Sequence, residues 1–214
     1  MDEAPTVIGV KNSLSGHWRS YVFCAVDVET TGLDLQRDEV ISIGAVTIED
    51  GRFKSNGSFY EEMAPSQNPS PASITVHGLR ATDLAAARAP EVVIPELISY
   101  ISSKYLIAHA SWVEKAFLEH RLKKYGQRYP KRVIDTAALA RFAGYAEKEI
   151  GYEPSLEYLA RKLNLPVYAP HHALGDAMTT AAVFLALAAR IEREQLAKTG
   201  EPLSLQQLLA IRIK

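Results

Sequence analysis

The apolar positions along this chain change period several times, and each change marks an element. Residues 21–28 form an almost unbroken apolar run, rich in valine and too short for a buried helix, which predicts a strand. Residues 39–48 form a second. There Val40, Ser42, Gly44 and Val46 alternate with Ile41, Ile43, Ala45 and Thr47, so both faces of that strand are mostly apolar. Glu49-Asp50-Gly51 is a hairpin signal, and a third strand then runs to about Met63. Pro65 to Pro71 reads as loop, and two helices fall between 81 and 104. A strand at Tyr105–His109, a helix from Ser111 to Lys124 and a strand at Val133–Asp135 follow. Helices are predicted over 136–142, 155–163 and 173–194. The last is Ala-rich, with no Gly or Pro after Gly175. Gly200 and Pro202 break the chain before a short helix at 204–212, and residues 1–18 show no clear period. A three-strand meander followed by strand–helix alternation predicts an α/β fold with a five-stranded mixed sheet flanked by helices.

Composition narrows the class without naming a function. A chain of 214 residues with 47% hydrophobic residues suits one domain plus short extensions. No apolar stretch reads as long enough to span a membrane, and the apolar segment 181–189 reads as a packed helix. No basic-then-apolar leader opens the chain, and the single Cys24 has no partner for a disulfide, so a cytoplasmic setting is expected. The net charge of −1 does not mark a nucleic-acid binder. However, Arg121, Lys123, Lys124, Arg128, Lys131 and Arg132 crowd into twelve residues with no acid among them. That patch reads either as a phosphate-attracting surface or as a solvated helix end.

Candidate chemistry sits at two places. Asp27 and Glu29 end the first strand two residues apart, hence on one face, and Thr30-Thr31-Gly32 follows at once. Crowding two carboxylates is costly unless a cation joins them, which points to a divalent metal held by oxygen ligands. Taken alone, a solvated strand end with two acids fits equally well. Far downstream, His171 and Asp176 flank the start of the long Ala-rich helix. Five residues apart, they do not share a helix face. With His171 in the preceding loop and Asp176 in the first turn, both reach one point. An imidazole beside a fixed carboxylate suits general-base work next to a metal. Taken alone, a His-rich loop with a helix-start acid fits as well.

Together these clusters resemble the DEDDh family of 3′–5′ exonucleases, which includes the proofreading (epsilon) subunit of bacterial replicative DNA polymerase. Asp27-Val28-Glu29-Thr30-Thr31-Gly32 matches the first family motif, Asp-x-Glu-Thr-Thr-Gly. His171, Ala173 and Asp176 match the third, His-x-Ala-x-x-Asp. Ile74-Thr75-Val76-His77-Gly78-Leu79 looks like the segment that helps form the terminal-nucleotide pocket. Asp135-Thr136 and the stretch from Ser155-Leu156 to Leu165-Pro166 look like two further family segments. The second motif departs from the pattern. Ala110 stands where the family has Asn, and Glu114 where it has the metal-binding Asp.

The resemblance implies an RNase H-like fold, with an N-terminal extension over 1–18, an exonuclease domain over 19–195 and a C-terminal helical tail over 196–214. It implies hydrolysis of phosphodiesters at single-stranded 3′ ends, DNA favoured over RNA, with two Mg²⁺ ions for which Mn²⁺ can substitute. Asp27, Glu29, Glu114 and Asp176 are the expected metal ligands, with Asp135 as the alternative to Glu114. His171 is the expected general base, with His172 as its competitor. Thr30, Thr31, His77 and Gly78 are expected to hold the terminal nucleotide. Glu114 is one methylene longer than Asp, and Mg²⁺ tolerates poor octahedral geometry badly. A weakened or inactive nucleic-acid-binding relative is therefore the alternative. A subunit docked on a polymerase or sliding clamp is another, since Gln206 to Ile211 faintly resembles a clamp-binding peptide but reads equally as an ordinary amphipathic helix.

Overall fold

A computed structural model describes residues 6–7, 13–145 and 153–212. The main sheet has five strands: β2 (Phe23–Thr30), β3 (Val40–Glu49), β4 (Arg52–Glu62), β5 (Tyr105–Ala108) and β7 (Ile134–Asp135), in the spatial order β4-β3-β2-β5-β7. The first three form an antiparallel meander, and β5 and β7 add in parallel beside β2. The hairpin at Asp50-Gly51 has both residues in the left-handed region, the geometry that matches the twist of the strands it joins. A small parallel pair, β1 (Thr6–Val7) with β6 (Gln127–Arg128), lies outside the main sheet.

Helices cover both faces: α1 (Pro71–His77), α2 (Ala81–Leu84), α3 (Pro90–Ile101), α4 (Trp112–Lys123), α5 (Thr136–Phe142), α6 (Leu156–Lys162), α7 (Ala173–Thr199) and α8 (Leu205–Ala210). Strand β2 is central, and its alternation sorts the core into two. Phe23 and Ala25 face a cluster with Phe184, Leu187 and Ile191 of α7. Cys24, Val26 and Val28 face Leu97 of α3 and Phe117, Leu118 and Leu122 of α4. Phe23 and Phe184, both fully buried, pack with tilted rings whose centroids are 5.0 Å apart. Burial of each such side chain stabilises the fold by roughly 1.5–3 kcal/mol. The same alternation turns Asp27 and Glu29 toward α7.

Three features differ from the sequence reading. Helix α1 occupies a stretch with no expected helix. None of its residues is buried, so it has no apolar period to read. It is set by end signals instead: the Ser70 side chain accepts from Ser73 N, Pro71 opens the helix, and Gly78 closes it in the left-handed conformation. Helix α7 runs through residue 195 to Thr199, so the expected start of the tail falls inside a helix. By length and composition this helix is also apolar enough to cross a membrane, contrary to the sequence reading. Here 61% of its apolar window is buried, and it packs against the sheet.

Residues 17–19 and 203–209 pack into the core beside α7. Trp18 is buried against Phe23 and Phe184, and Trp18 N donates to Leu203 O at 3.0 Å. His17 and Arg19 both pair with the buried Glu192 of α7. Leu203, Leu205, Leu208 and Leu209 lie in the same apolar cluster as α7. The leucines that would make Gln206–Ile211 a clamp-binding peptide are therefore packed inside the domain.

Candidate active site

The C-terminal end of β2 carries Asp27 and Glu29, and the first turn of α7 brings Asp176 to them. Their carboxylate oxygens lie within 4.8 Å of one another, the sole such metal-sized group among the described residues. A glycine makes this approach possible. Gly44 of β3 pairs directly with Asp27, and a Cβ built on it would meet the backbone of Ala173 and Leu174 at 2.2 Å. Any side chain there would push away the start of α7, and Asp176 with it.

Glu114, at the N-terminal end of α4, is close enough for its charge to act on Asp27 and Glu29 but does not join the group within 4.8 Å. It is buried, at 3% exposure, and its Oε2 has no hydrogen-bond partner. Asp135 lies beside it but is already engaged. One oxygen caps α5 by accepting from Ala137 N and Ala138 N, and the other accepts from Ser111 N at 2.9 Å. Asp135 thus anchors the turn from which α4 departs. Glu114 keeps a buried oxygen unsatisfied.

The electrostatics follow from this crowding. Burial, then the charges of Glu114, Asp176 and Glu29, hold Asp27 well above the usual carboxylate range. Burial and Asp176 push Glu29 up to about 7. Burial, with Asp135 and Glu29 adding to it, pushes Glu114 up to about 8. Asp176 is raised as well, chiefly by burial. Three grouped acids that resist ionising together, with a fourth buried acid nearby, form a site that wants a cation. All the ligand atoms on offer are hard oxygens, the donor set of Mg²⁺ or Mn²⁺. The orphaned Glu114 oxygen fits the same explanation.

His171 lies in the loop before α7 in the left-handed conformation (φ 58°), an uncommon state for a residue with a side chain. Its N–H donates to Asp176 Oδ2 at 2.9 Å, which ties the loop to the carboxylate cluster. Its imidazole is solvent-accessible, with Glu157 Oε1 3.8 Å from Nε2. His172 instead caps α7 and stacks on Tyr60 at 4.5 Å. Across the cleft, His77 Nε2 donates to Thr30 O at 3.2 Å, while its Nδ1 accepts from Leu79 N at 3.1 Å. The ring is therefore a fixed neutral tautomer, and burial lowers its pKa. Gly78 ends α1 beside it.

The two threonines divide. Thr30 Oγ1 donates to Gly32 O at 2.7 Å. Thr31 is buried at 1% exposure, with its hydroxyl donating to Asp38 at 2.7 Å and accepting from Glu39 N. Its carbonyl accepts from Ser70 N and from the Ser73 hydroxyl. The Thr31 hydroxyl thus bonds within the loop, and its carbonyl fastens α1 to the end of β2. Gly44, Ser70 and Ser73 were not among the site residues read from the sequence. Gly44 looked like one more member of an apolar strand. The capping pattern of Ser70-Pro71 was the available signal for α1.

Residues 24–184 match the family model described as Exonuclease (RNase_T). The chain is 33% identical over 190 residues to the PolC-type DNA polymerase III of Thermotoga petrophila, covering 88% of this chain and 13% of that protein. It is 32% identical over 187 residues to a DNA polymerase III subunit epsilon-like protein of Rhodobacter capsulatus, covering 85% of this chain and 26% of that protein. The chain thus spans only a small part of the length of these relatives. Among solved structures it superposes on Exonuclease X in complex with 5′ overhanging duplex DNA, with a TM-score of 0.64 and 24% identity, covering 88% of this chain and 98% of that one. It superposes equally on the nuclease domain of 3′hExo, a DEDDh family member bound to rAMP, with a TM-score of 0.65 and 18% identity and the same two coverages of 88% and 98%. The five-stranded mixed sheet is accordingly RNase H-like, and the chain belongs to the exonuclease family, with the DEDDh exonucleases among its structural neighbours.

Proposed function

We propose that this chain is a 3′–5′ exonuclease that releases nucleoside monophosphates from single-stranded ends, DNA favoured, with two Mg²⁺ ions that Mn²⁺ can replace. The observation that carries this reading is the approach of Asp27, Glu29 and Asp176 to within 4.8 Å, beside a loop histidine. Glu114 completes the set of ligands. When bound, the ions supply a Lewis-acid clamp on the scissile phosphate. The remaining work belongs to the chain. His171 takes a proton from the attacking water at its imidazole nitrogen, and its exposure leaves it free to pass that proton to solvent. Asp176 fixes the His171 backbone. His77, Gly78 and the Thr30 backbone form the wall against which the terminal nucleotide rests. Stacking without base readout gives little sequence preference. The 3′–5′ direction is supported by a relative described as 3′-5′ exonuclease DinG of Bacillus subtilis, 29% identical over 175 residues. Association with a polymerase assembly is supported by the PolC-type and epsilon-like relatives.

The test is digestion of a 5′-labelled single-stranded DNA with Mg²⁺, alongside RNA of equal length. The expected result is a ladder shortened from the 3′ end, released 5′-monophosphates, and faster loss of DNA. Asp27→Ala should abolish it, since the charge that holds the metal sits at the strand end and supports little packing. A ladder starting from the other end, or near-normal activity in Asp27→Ala, would overturn the reading.

A further inference from the structure

The turn after Gly32 and the outer side of α4 enclose a groove of about 140 Å³. Its acids are already satisfied. Asp38 accepts from the Thr31 hydroxyl and from Asp34 N, both at 2.7 Å. Glu39 pairs with Arg121 at 2.8 Å and also accepts from Ser66 N and the Ser66 hydroxyl. Its exposed cations are not. Arg37 on the turn and Lys124 at the end of α4 have no acidic partner among the described residues, and His120 lies between them on the helix side. The turn and the helix therefore present unpaired positive charge to one groove. A helix terminus alone would gather cations from one element only.

The groove also has a direction. Trp112, Ala116, His120 and Lys124 follow one another at intervals of four and form a single ridge along α4. Trp112, 56% exposed, stands at the end nearest Glu114, and Lys124 at the far end. Ten residues of helix separate Glu114 from Lys124, about 15 Å at ~1.5 Å per residue. A stacked strand rises ~3.4 Å per nucleotide, so that distance corresponds to about four nucleotides.

We infer that this groove binds the phosphodiester backbone of the substrate strand upstream of the cleaved end, with Arg37 and Lys124 as its phosphate contacts and Trp112 as a platform for a base near the metals. The inference rests on the exonuclease reading above and adds to it a preference for strands longer than about four nucleotides. Phosphate-tracking cations combined with an aromatic stacking surface are the means by which single strands are held without sequence readout.

The test is the double variant Arg37→Ala/Lys124→Ala, both side chains being exposed. Two substrates are compared across a salt series: a long single-stranded DNA, and the p-nitrophenyl ester of thymidine 5′-monophosphate, which is too short to enter the groove. For the long strand KM should rise, and the slope of log(kcat/KM) against log salt should become shallower by about 1.4, from ~0.7 per lost phosphate contact. Hydrolysis of the short ester should be unchanged. An unchanged KM and slope on the long strand would overturn the inference, and so would equal losses on both substrates. Fluorescence anisotropy of the long strand in EDTA separates the two readings. If the wild type cleaves neither substrate, the exonuclease reading fails, and the groove is then judged by whether the variant binds with the same shallower slope.

Discussion

Glu114→Gln tests the metal site at the residue that departs from the family pattern. In the metal-free protein the Glu114 carboxyl is raised from its ordinary 4.5 to about 8, mainly by burial. A carboxyl with a raised folded pKa contributes stability that is fully present below the unfolded value and is lost as pH rises through the folded one. For Glu114 the window runs from about pH 4.5 to about pH 8. At 1.36 kcal/mol per unit, the metal-free protein should lose about 3 kcal/mol between pH 5 and pH 8 through this group alone. The glutamine amide keeps the shape and removes the ionisation. Metal-free Glu114→Gln should therefore equal the wild type at pH 5 and exceed it at pH 8, by roughly 6–12 °C in Tm at ~2–4 °C per kcal/mol for a chain of this size. At pH 8 millimolar Mg²⁺ should close most of that gap. A metal at a hundred times its Kd stabilises the wild type by about 2.7 kcal/mol, and the variant should gain much less. Thermal unfolding at both pH values, with EDTA and with Mg²⁺, reads all four cells of this comparison, and digestion of single-stranded DNA reads activity. A variant that keeps the Mg²⁺-dependent rise and its exonuclease rate would refute the argument, because Glu114 would then be a buried acid with no metal to hold.

Glu114→Asp should also lower turnover in Mg²⁺, since the shorter side chain falls about one C–C bond short, and Mn²⁺ should rescue it better; a strong rise in activity would instead mark the natural protein as a weakened enzyme. His171→Ala should cut kcat by ~10²–10⁴-fold, the range for a lost general base, while leaving the Mg²⁺-dependent thermal shift intact. Loss of that shift would make His171 a ligand. His172→Ala, which removes a ring stacked on Tyr60, should affect stability more than kcat, and the reverse result would exchange the two roles. Gly44→Ala should destabilise the protein by ~1–3 kcal/mol through overpacking and lower activity further than that loss explains, because its Cβ would meet Ala173 and Leu174 at 2.2 Å and displace Asp176. Unchanged melting and activity together would show that α7 needs no such close approach.

The sequence by itself determined the order of the sheet elements and the pairing of carboxylates at the end of β2. Those are properties of local period and of short spacing: alternation fixes which residues share a face, and an unbroken apolar run marks a central strand. The same logic placed His171 in a loop and Asp176 in the first helical turn. What the period could not carry was decided by tertiary contact. Helix α1 has no buried residue and so no pattern, and its Ser73 hydroxyl holds the Thr31 carbonyl from 42 residues away in sequence. The bond from the Thr31 hydroxyl to Asp38 likewise exists only once the loop is folded. Gly44 reads as one more strand position until α7 packs on it. Trp18 and the leucines of α8 read as parts of an extension and a tail, yet they share a core with Phe184, because apolar surface is buried wherever the chain can bring it together. Glu114 shows the division most sharply. Its chemical type is visible in the sequence, but the unsatisfied oxygen, the neighbouring Asp135 already occupied by backbone N–H groups, and the raised pKa exist only once strand and helix meet.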